Sequence, residues 1–473
     1  MTNESFVKLR KFQIESEKAL LNNKSVLIVA PTGLGKTRAA ILPFIHGLNE
    51  NPLLGTRLMY SLPLRALIGG VQKELSEIGN IMPTIHHGDE PESQFFSERA
   101  IITTVDQYFT AFAGAPLSWA RHHSHSAAAA SLLNYSVFDE VHLLSPQRGL
   151  QLLFSILYLR NRWGLLSCVM TATLPKSVIE FFKNNAELAV VEASKKDVSA
   201  RDSWRKVQME LVGEFAGSNF RWERKTPAAI AEMVKDKWEN WESIEVDGDR
   251  KIIVFVNTVQ RAIEVYKRVK SLLNLTNSEN VILAHSRFTK KDKKTIVNRI
   301  EKFFGKDSEG EAILITTQVA EAGVNISAPL VITELAPIDS LIQRAGRCQR
   351  FRPHKKEQLK GLFIVMKPGV KNGDKKDQWY VPYTDSILIK KNKKSQSVRI
   401  SKVTQKILEK ELRKAGDAID LYWDKENELV NRVLDQIYQI YLQGEKQIDY
   451  SEANDVLKEI FDEESKRRNP KNE

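Results

Sequence analysis

Two carboxylates stand side by side in "VFDEVHLLSP", residues 137–146, where an apolar run ending at Phe138 meets Asp139 and Glu140, with His142 just beyond. Acids at a strand end are often only solvated turn residues, so the pair gains chemical meaning from the rest of the chain. "APTGLGKT", residues 30–37, supplies it. It follows an apolar run and precedes a helical pattern. The strict phosphate-loop pattern has glycine where this chain has Ala30, but Gly-x-Gly-Lys-Thr is intact. Gly33 and Gly35 permit a tight loop, with Pro31, Thr32 and Leu34, whose backbone N–H groups converge on phosphate oxygens. Lys36 can reach the β- and γ-phosphates, and the Thr37 hydroxyl can ligate magnesium. ATP with Mg2+ is the expected cofactor pair. Such a site needs a second magnesium anchor and a group that aligns water. A carboxylate ending a neighbouring parallel strand lies at the same sheet edge. Asp139 is then the magnesium-side acid, and Glu140 polarises the attacking water. His142 reads as a coupling residue rather than a metal ligand, because magnesium prefers oxygen.

A third constellation is "SLIQRAGRCQR", residues 340–350. Gln343, Gly346, Arg347 and Arg350 form Gln-x-x-Gly-Arg-x-x-Arg. On a helix, arginines three apart share a face. Their planar guanidinium groups suit bidentate phosphate contact and charge developing on a γ-phosphate. Arginines of a second domain facing the phosphate loop of a first would let ATP bind the two together and hydrolysis release them.

These groups need elements to position them. The chain has 473 residues, 42% hydrophobic and 27% charged, which predicts a soluble globular protein of more than one domain. No apolar run is long enough for a bilayer span and the N-terminus lacks an apolar signal core, so no membrane association and a cytoplasmic location are expected. Two cysteines, Cys168 and Cys348, make neither a disulfide framework nor a zinc site. A net charge of +11 favours a polyanionic partner. Nearly continuous apolar runs occur at 25–31, 57–63, 100–104, 135–140 and 167–173, and again at 251–257, 281–286, 312–317, 330–335 and 361–366. Strands buried on both faces look like this. The expected fold class is α/β: two tandem RecA-like parallel-sheet domains, residues 1–198 and 199–370, joined by the charged stretch 194–205. Residues 371–473 are expected to be a linker and a small C-terminal region, helical in spacing from about 400 and without strand signal.

Taken together, "APTGLGKT", "DEVH", "TAT" (171–173) and "QRAGRCQR" resemble superfamily-two helicases in order and spacing. "TTVDQ" (103–107), "FVNTVQRA" (255–262), "LAHSRFTKKDK" (283–293) and "TTQVAEAGVNIS…LAPIDSLIQRAGR" (316–347) are similar to the CRISPR-associated helicase of type I interference, the Cas-three family. The resemblance covers roughly residues 8–366. It implies that Gln13 and Gly323 join the nucleotide site and that Thr171 and Thr173 act with His142 in coupling. It also implies ATP-driven 3′-to-5′ translocation on single-stranded DNA, recruited by an RNA-guided, Cascade-like surveillance complex. Many members begin with a metal-dependent HD nuclease domain. Here the helicase motifs begin almost at once, so the nuclease is expected as a separate chain. "HHSH" at 122–125 has no acid at useful spacing and reads as a surface loop or helix. Asn325 stands where the family commonly has aspartate.

A motor that ignores sequence must grip backbone rather than bases. Candidate nucleic-acid contacts after the buried strands are Arg65, Thr104, Gln107, Asn257, Thr258, Ser286, Arg287 and Thr317, although each such hydroxyl or amide can equally cap a helix. Three functions remain open from residues alone: a DNA motor of CRISPR interference, a general DNA or RNA helicase, and a nucleic-acid-binding scaffold without catalysis.

Overall fold

The computed structural model describes residues 9–88, 90–93, 96–115, 124–213, 226–275, 279–321, 324–353, 358–367, 382–383, 385–392, 394–416, 418–445 and 447–468. The chain divides into two compact units, Met1–Ala200 and Arg201–Glu473.

In the first unit the strands are β1 (Val26–Val29), β2 (Leu58–Leu62), β3 (Thr84–His87), β4 (Glu90–Pro91), β5 (Ala100–Thr104), β6 (Tyr135–Phe138), β7 (Ser167–Thr171) and β8 (Ala189–Glu192). They form one sheet in the order β4-β3-β5-β2-β6-β7-β1-β8. All neighbours are parallel except β3 and β4. The apolar runs correspond to β1, β2, β5, β6 and β7, every residue of which is buried. The runs did not reveal β3, β4 and β8. These lie toward the two edges and keep partly exposed residues, so they carry no continuous apolar signal. Because the central strands are parallel, their carboxyl ends open on one edge of the sheet.

One residue ties the opposite end together. Arg160, on the helix Gly149–Arg162, is wholly buried. Its guanidinium donates to Ser167 Oγ at 2.9 Å, the Tyr108 hydroxyl at 3.2 Å, and the carbonyls of Ser131 (3.1 Å), Leu132 (3.0 Å), Asn134 (2.6 Å) and Leu166 (2.9 Å). Those carbonyls lead directly into β6 and β7.

The second unit contains β9 (Arg205–Val212), β10 (Lys251–Phe255), β11 (Val281–Ala284), β12 (Ala312–Thr316), β13 (Leu330–Glu334), β14 (Leu359–Met366), β15 (Ser386–Lys391), β16 (Lys394–Arg399), β17 (Ile419–Leu421) and β18 (Gln447–Asp449). The main sheet runs β11-β12-β10-β13-β14-β9-β17, and a small sheet runs β16-β15-β18. Strands β9 to β14 are parallel in their pairings, whereas β17 adds antiparallel to β9. The architecture is α/β, with two RecA-like sheets.

The C-terminal region departs from the expectation of helices without strands. Its helices Ile400–Ala415, Trp423–Leu442 and Asp455–Arg468 are present, but so are β15 to β18. Strands of three residues, such as β17 and β18, are too short to show a period. The charged stretch 194–205 is also more than a solvated connection. It forms the helix Lys195–Asp202 and the start of β9. Arg201 and Arg205 both pair with Glu426, at 3.2 and 3.5 Å, and Arg205 donates to the Ala345 carbonyl at 2.7 Å. Among the described residues no helix is long and apolar enough to cross a membrane.

Candidate nucleotide-binding site

The phosphate loop turns from β1 into the helix Lys36–Glu50. Gly33 and Gly35 have φ of +82° and +86°, the left-handed region in which a side chain is strained. A Cβ on Gly35 would also stand 2.8 Å from Gln13 Nε2, so glycine is required there twice over. The loop is braced from the helix Lys11–Leu21 and its cap. Gln13 Nε2 donates to the Gly35 carbonyl at 3.0 Å, Gln13 Oε1 accepts from the Arg10 amide at 2.8 Å, and Arg10 Nη1 donates to the Leu34 carbonyl at 2.6 Å. Gln13 thus holds the loop through its amide nitrogen, while its amide oxygen fixes the helix cap at Arg10. Lys36 is buried, and its Nζ donates to the Ala30 carbonyl at 3.1 Å. Pro31 and Leu34 are buried, Thr32 half-buried and Gly33 exposed.

Asp139 and Glu140 follow β6, next to β2 and β7 in the sheet. Asp139 is buried, and both its oxygens are engaged: Oδ1 accepts the Glu140 backbone N–H at 2.8 Å, and Oδ2 accepts the Tyr60 hydroxyl at 2.7 Å. Burial, reinforced by the neighbouring Glu140, pushes Asp139 up to about 7, while Lys36 and Tyr60 pull the other way. Burial and Asp139 hold the Tyr60 phenol well above its ordinary value, so Tyr60 is the donor. Glu140 sits at φ +48°, a left-handed backbone rare for glutamate, at the head of the short turn Val141–Leu143. Such strain is typical of functional sites.

His142 is buried, with Nδ1 3.5 Å from Glu140 Oε2 and 3.2 Å from Thr171 Oγ1. Burial lowers it to about 4, against the pull of Glu140, so the ring is neutral at pH 7. Thr171 Oγ1 also accepts the Thr173 amide at 3.2 Å. The chain Glu140–His142–Thr171–Thr173 therefore links the end of β6 to the turn after β7. The Thr37 hydroxyl lies against the Tyr60 hydroxyl and the Glu74 carboxylate. Thr37 and Asp139 are hard oxygen donors of the kind that Mg2+ takes, so the donor set fits that ion.

In the second unit, the arginine motif is not a helical face. The helix Ile338–Ala345 ends before it, and Arg347 and Arg350 lie in the turn that follows, past the Gly346 cap. The helix carries Arg344 instead, which is wholly buried. It donates to Glu321 Oε1 (2.7 Å from Nε), Thr333 Oγ1 (2.7 Å) and the Tyr383 hydroxyl (2.9 Å). Arg347 is buried and donates to the Glu321 carbonyl. Arg350 donates to Asn325 Oδ1 at 2.8 Å, so the asparagine at that position is in use. Gln343 is buried with Nε2 lacking a hydrogen-bond partner among the described residues.

The candidate nucleic-acid residues divide. Arg65, Ser286 and Arg287 are exposed, whereas Thr104, Gln107 and Thr317 are buried. Asn257 Nδ2 donates to the Leu335 carbonyl at 2.8 Å, and Thr258 caps the helix Val259–Leu272 by accepting the Arg261 amide at 3.3 Å. Thr104 ends β5, and the others follow strands of their own unit's sheet. Gly323, His122 and His123 lie outside the described residues, and His125 is exposed on the helix Ser124–Leu132. Sequence reasoning missed Tyr60 and Glu74. Tyr60 sits inside an apolar run and reads as core, and Glu74 reads as one of several helix acids.

Two family models match the chain. One, for DEAD/DEAH box helicases, matches residues 10–181, and one, for the C-terminal part of the CRISPR-associated nuclease/helicase Cas3, matches residues 248–353. The CRISPR-associated nuclease/helicase Cas3 of Methanothermobacter thermautotrophicus is 27% identical over 360 residues, covering 70% of this chain and 39% of that protein. A crystal structure of T. fusca Cas3 with ADP is similar at a TM-score of 0.64 and 18% identity, over 93% of this chain and 54% of that one. A chain of a CRISPR RNA-guided surveillance complex in a pre-nicking state is similar at a TM-score of 0.59 and 20% identity, over 93% of this chain and 53% of that one. The chain thus spans about half the length, or less, of the proteins it matches.

Proposed function

We propose that this chain, a superfamily-two helicase core of the Cas3 family, hydrolyses ATP to translocate 3′-to-5′ on single-stranded DNA in type I CRISPR interference. The observation that carries the reading is local to the first unit. A glycine loop with a buried lysine and a tyrosine-held aspartate stand at the carboxyl edge of one parallel sheet, with a left-handed glutamate beside them. In this reading Gly33 to Thr37 cradle the phosphates, and Lys36 neutralises their charge. Thr37 and Asp139 hold Mg2+, which supplies further neutralisation at the phosphate oxygens. Glu140 orients the attacking water, and its contact with neutral His142 carries the state of the site toward Thr171 and Thr173. Gln343, Arg347 and Arg350 are required for hydrolysis. The family resemblance supports a Cascade-like surveillance complex that recruits the chain to DNA and an HD nuclease that acts with it.

The test is magnesium-dependent phosphate release with single-stranded DNA, RNA or no nucleic acid, followed by unwinding of duplexes with 3′ or 5′ overhangs. Stimulation by DNA and unwinding from the 3′ overhang are expected. Stimulation by RNA alone would assign a general RNA helicase, and rates unaffected by either would remove the motor reading.

A further inference from the structure

Three tyrosines of the first unit are wholly buried, and two of them serve as a comparison for the third. The Tyr135 hydroxyl donates to the Ala40 carbonyl at 3.1 Å, and the Tyr108 hydroxyl to the Ser131 carbonyl at 2.8 Å. These are ordinary ways for a buried phenol to satisfy its O–H. Tyr60, in the middle of β2, instead donates to Asp139 Oδ2 at 2.7 Å and lies against the Thr37 hydroxyl. Its hydroxyl thus hydrogen-bonds one of the two residues that the nucleotide reading assigns to magnesium and lies near the other. Asp139 Oδ1 is held from the other side by the Glu140 amide, so the carboxylate has one fixed orientation. Glu74, half-buried on the helix Ile68–Gly79, meets the same Thr37 hydroxyl. A threonine hydroxyl that gives a lone pair to a cation must pass its proton to an acceptor, and the nearby Glu74 carboxylate can serve as one.

We propose that Tyr60 and Glu74 are positioning residues for the cation half of this nucleotide site. Tyr60 orients the Asp139 carboxylate, and Glu74 orients the Thr37 hydroxyl. Both act on magnesium affinity without touching nucleotide. The inference rests on the nucleotide reading above. Outer partners of metal ligands typically change affinity by about 10- to 100-fold.

The experiment measures binding of a fluorescent ADP to the full chain, titrated with Mg2+ and repeated in EDTA. Tyr60→Phe keeps the ring and removes only the hydroxyl. The Mg2+ concentration for half-maximal enhancement of ADP binding should rise about tenfold in Tyr60→Phe and several-fold in Glu74→Gln. Affinity in EDTA and the melting temperature should stay near wild type. A merely structural role would lower the melting temperature or both affinities together. Wild-type Mg2+ dependence in both variants overturns the proposal. If Tyr60→Phe does not fold, wild-type Mg2+ dependence in Glu74→Gln alone overturns it. Wild-type protein that binds no ADP would overturn the nucleotide reading itself, an outcome distinct from a failure of the variants.

Discussion

Lys36 is held within the loop, because its buried ammonium donates to the Ala30 carbonyl. Phosphate oxygens are stronger acceptors than a neutral carbonyl, so binding exchanges one hydrogen bond for a charge-assisted one. Lys36→Ala should therefore reduce ATP hydrolysis by at least about a hundredfold, the scale of losing one preorganised charge-stabilising group. Phosphate release measures this, with circular-dichroism melting as the control for folding. Hydrolysis within a few-fold of wild type would remove Lys36 from the site. The residue scale was only partly legible in sequence. The loop, the acid pair and His142 announce themselves by type and spacing. Tyr60 does not, since a tyrosine in an apolar run looks like packing until its hydroxyl is seen on Asp139.

At the scale of elements, the first sheet depends on how β6 and β7 enter it. Arg160 gathers the carbonyls that precede both strands, and no solvent reaches its guanidinium. Arg160→Met would fill much of the volume but leave four carbonyls without this donor. The expected cost is about 2 kcal/mol, because each carbonyl loses one donor while Ser131, Leu132 and Leu166 keep the Tyr108 hydroxyl, the Asn134 amide and the Ser136 amide. The measurement is the urea midpoint of the unfolding transition that added nucleotide displaces, which identifies the first unit. An unchanged midpoint would show that the staple is dispensable. Sequence reasoning located the central strands, because burial on both faces makes their residues uniformly apolar. It passed over β9, whose residues alternate between buried and exposed, and the short edge strands.

For the molecule as a whole, the C-terminal region is integral to the second unit through β17 and the Arg205–Glu426 pair, and a charge cluster joins two of its own helices. In that cluster Glu411, on the helix Ile400–Ala415, pairs with Lys425, Arg432 and Lys414. Burial alone would raise its carboxyl, but hydrogen bonds from Lys425, Arg432 and Lys414 hold it down to about 2. A folded value below the unfolded one stabilises the protein above roughly pH 4.5, and this contribution is lost as pH falls toward 2. Solvent screening at the partly exposed Arg432 and Lys414 leaves it at about 1 kcal/mol. Glu411→Gln should flatten the acid limb of the second unit's stability between those pH values, read from melting temperatures across the range. An acid limb as steep as wild type would place the titration elsewhere. The sequence by itself determined the two α/β sheets and marked the candidate phosphate loop and acid pair, because phosphate loops and fully buried parallel strands are local patterns of residue type. Only the tertiary structure decided that Arg347 and Arg350 leave the helix for a turn, that the helix's own arginine, Arg344, is wholly buried, and that Tyr60 and Glu74 lie near Thr37. Those outcomes depend on where a helix stops and on which strands become neighbours. Contacts made across a sheet, between residues far apart in the chain, set both.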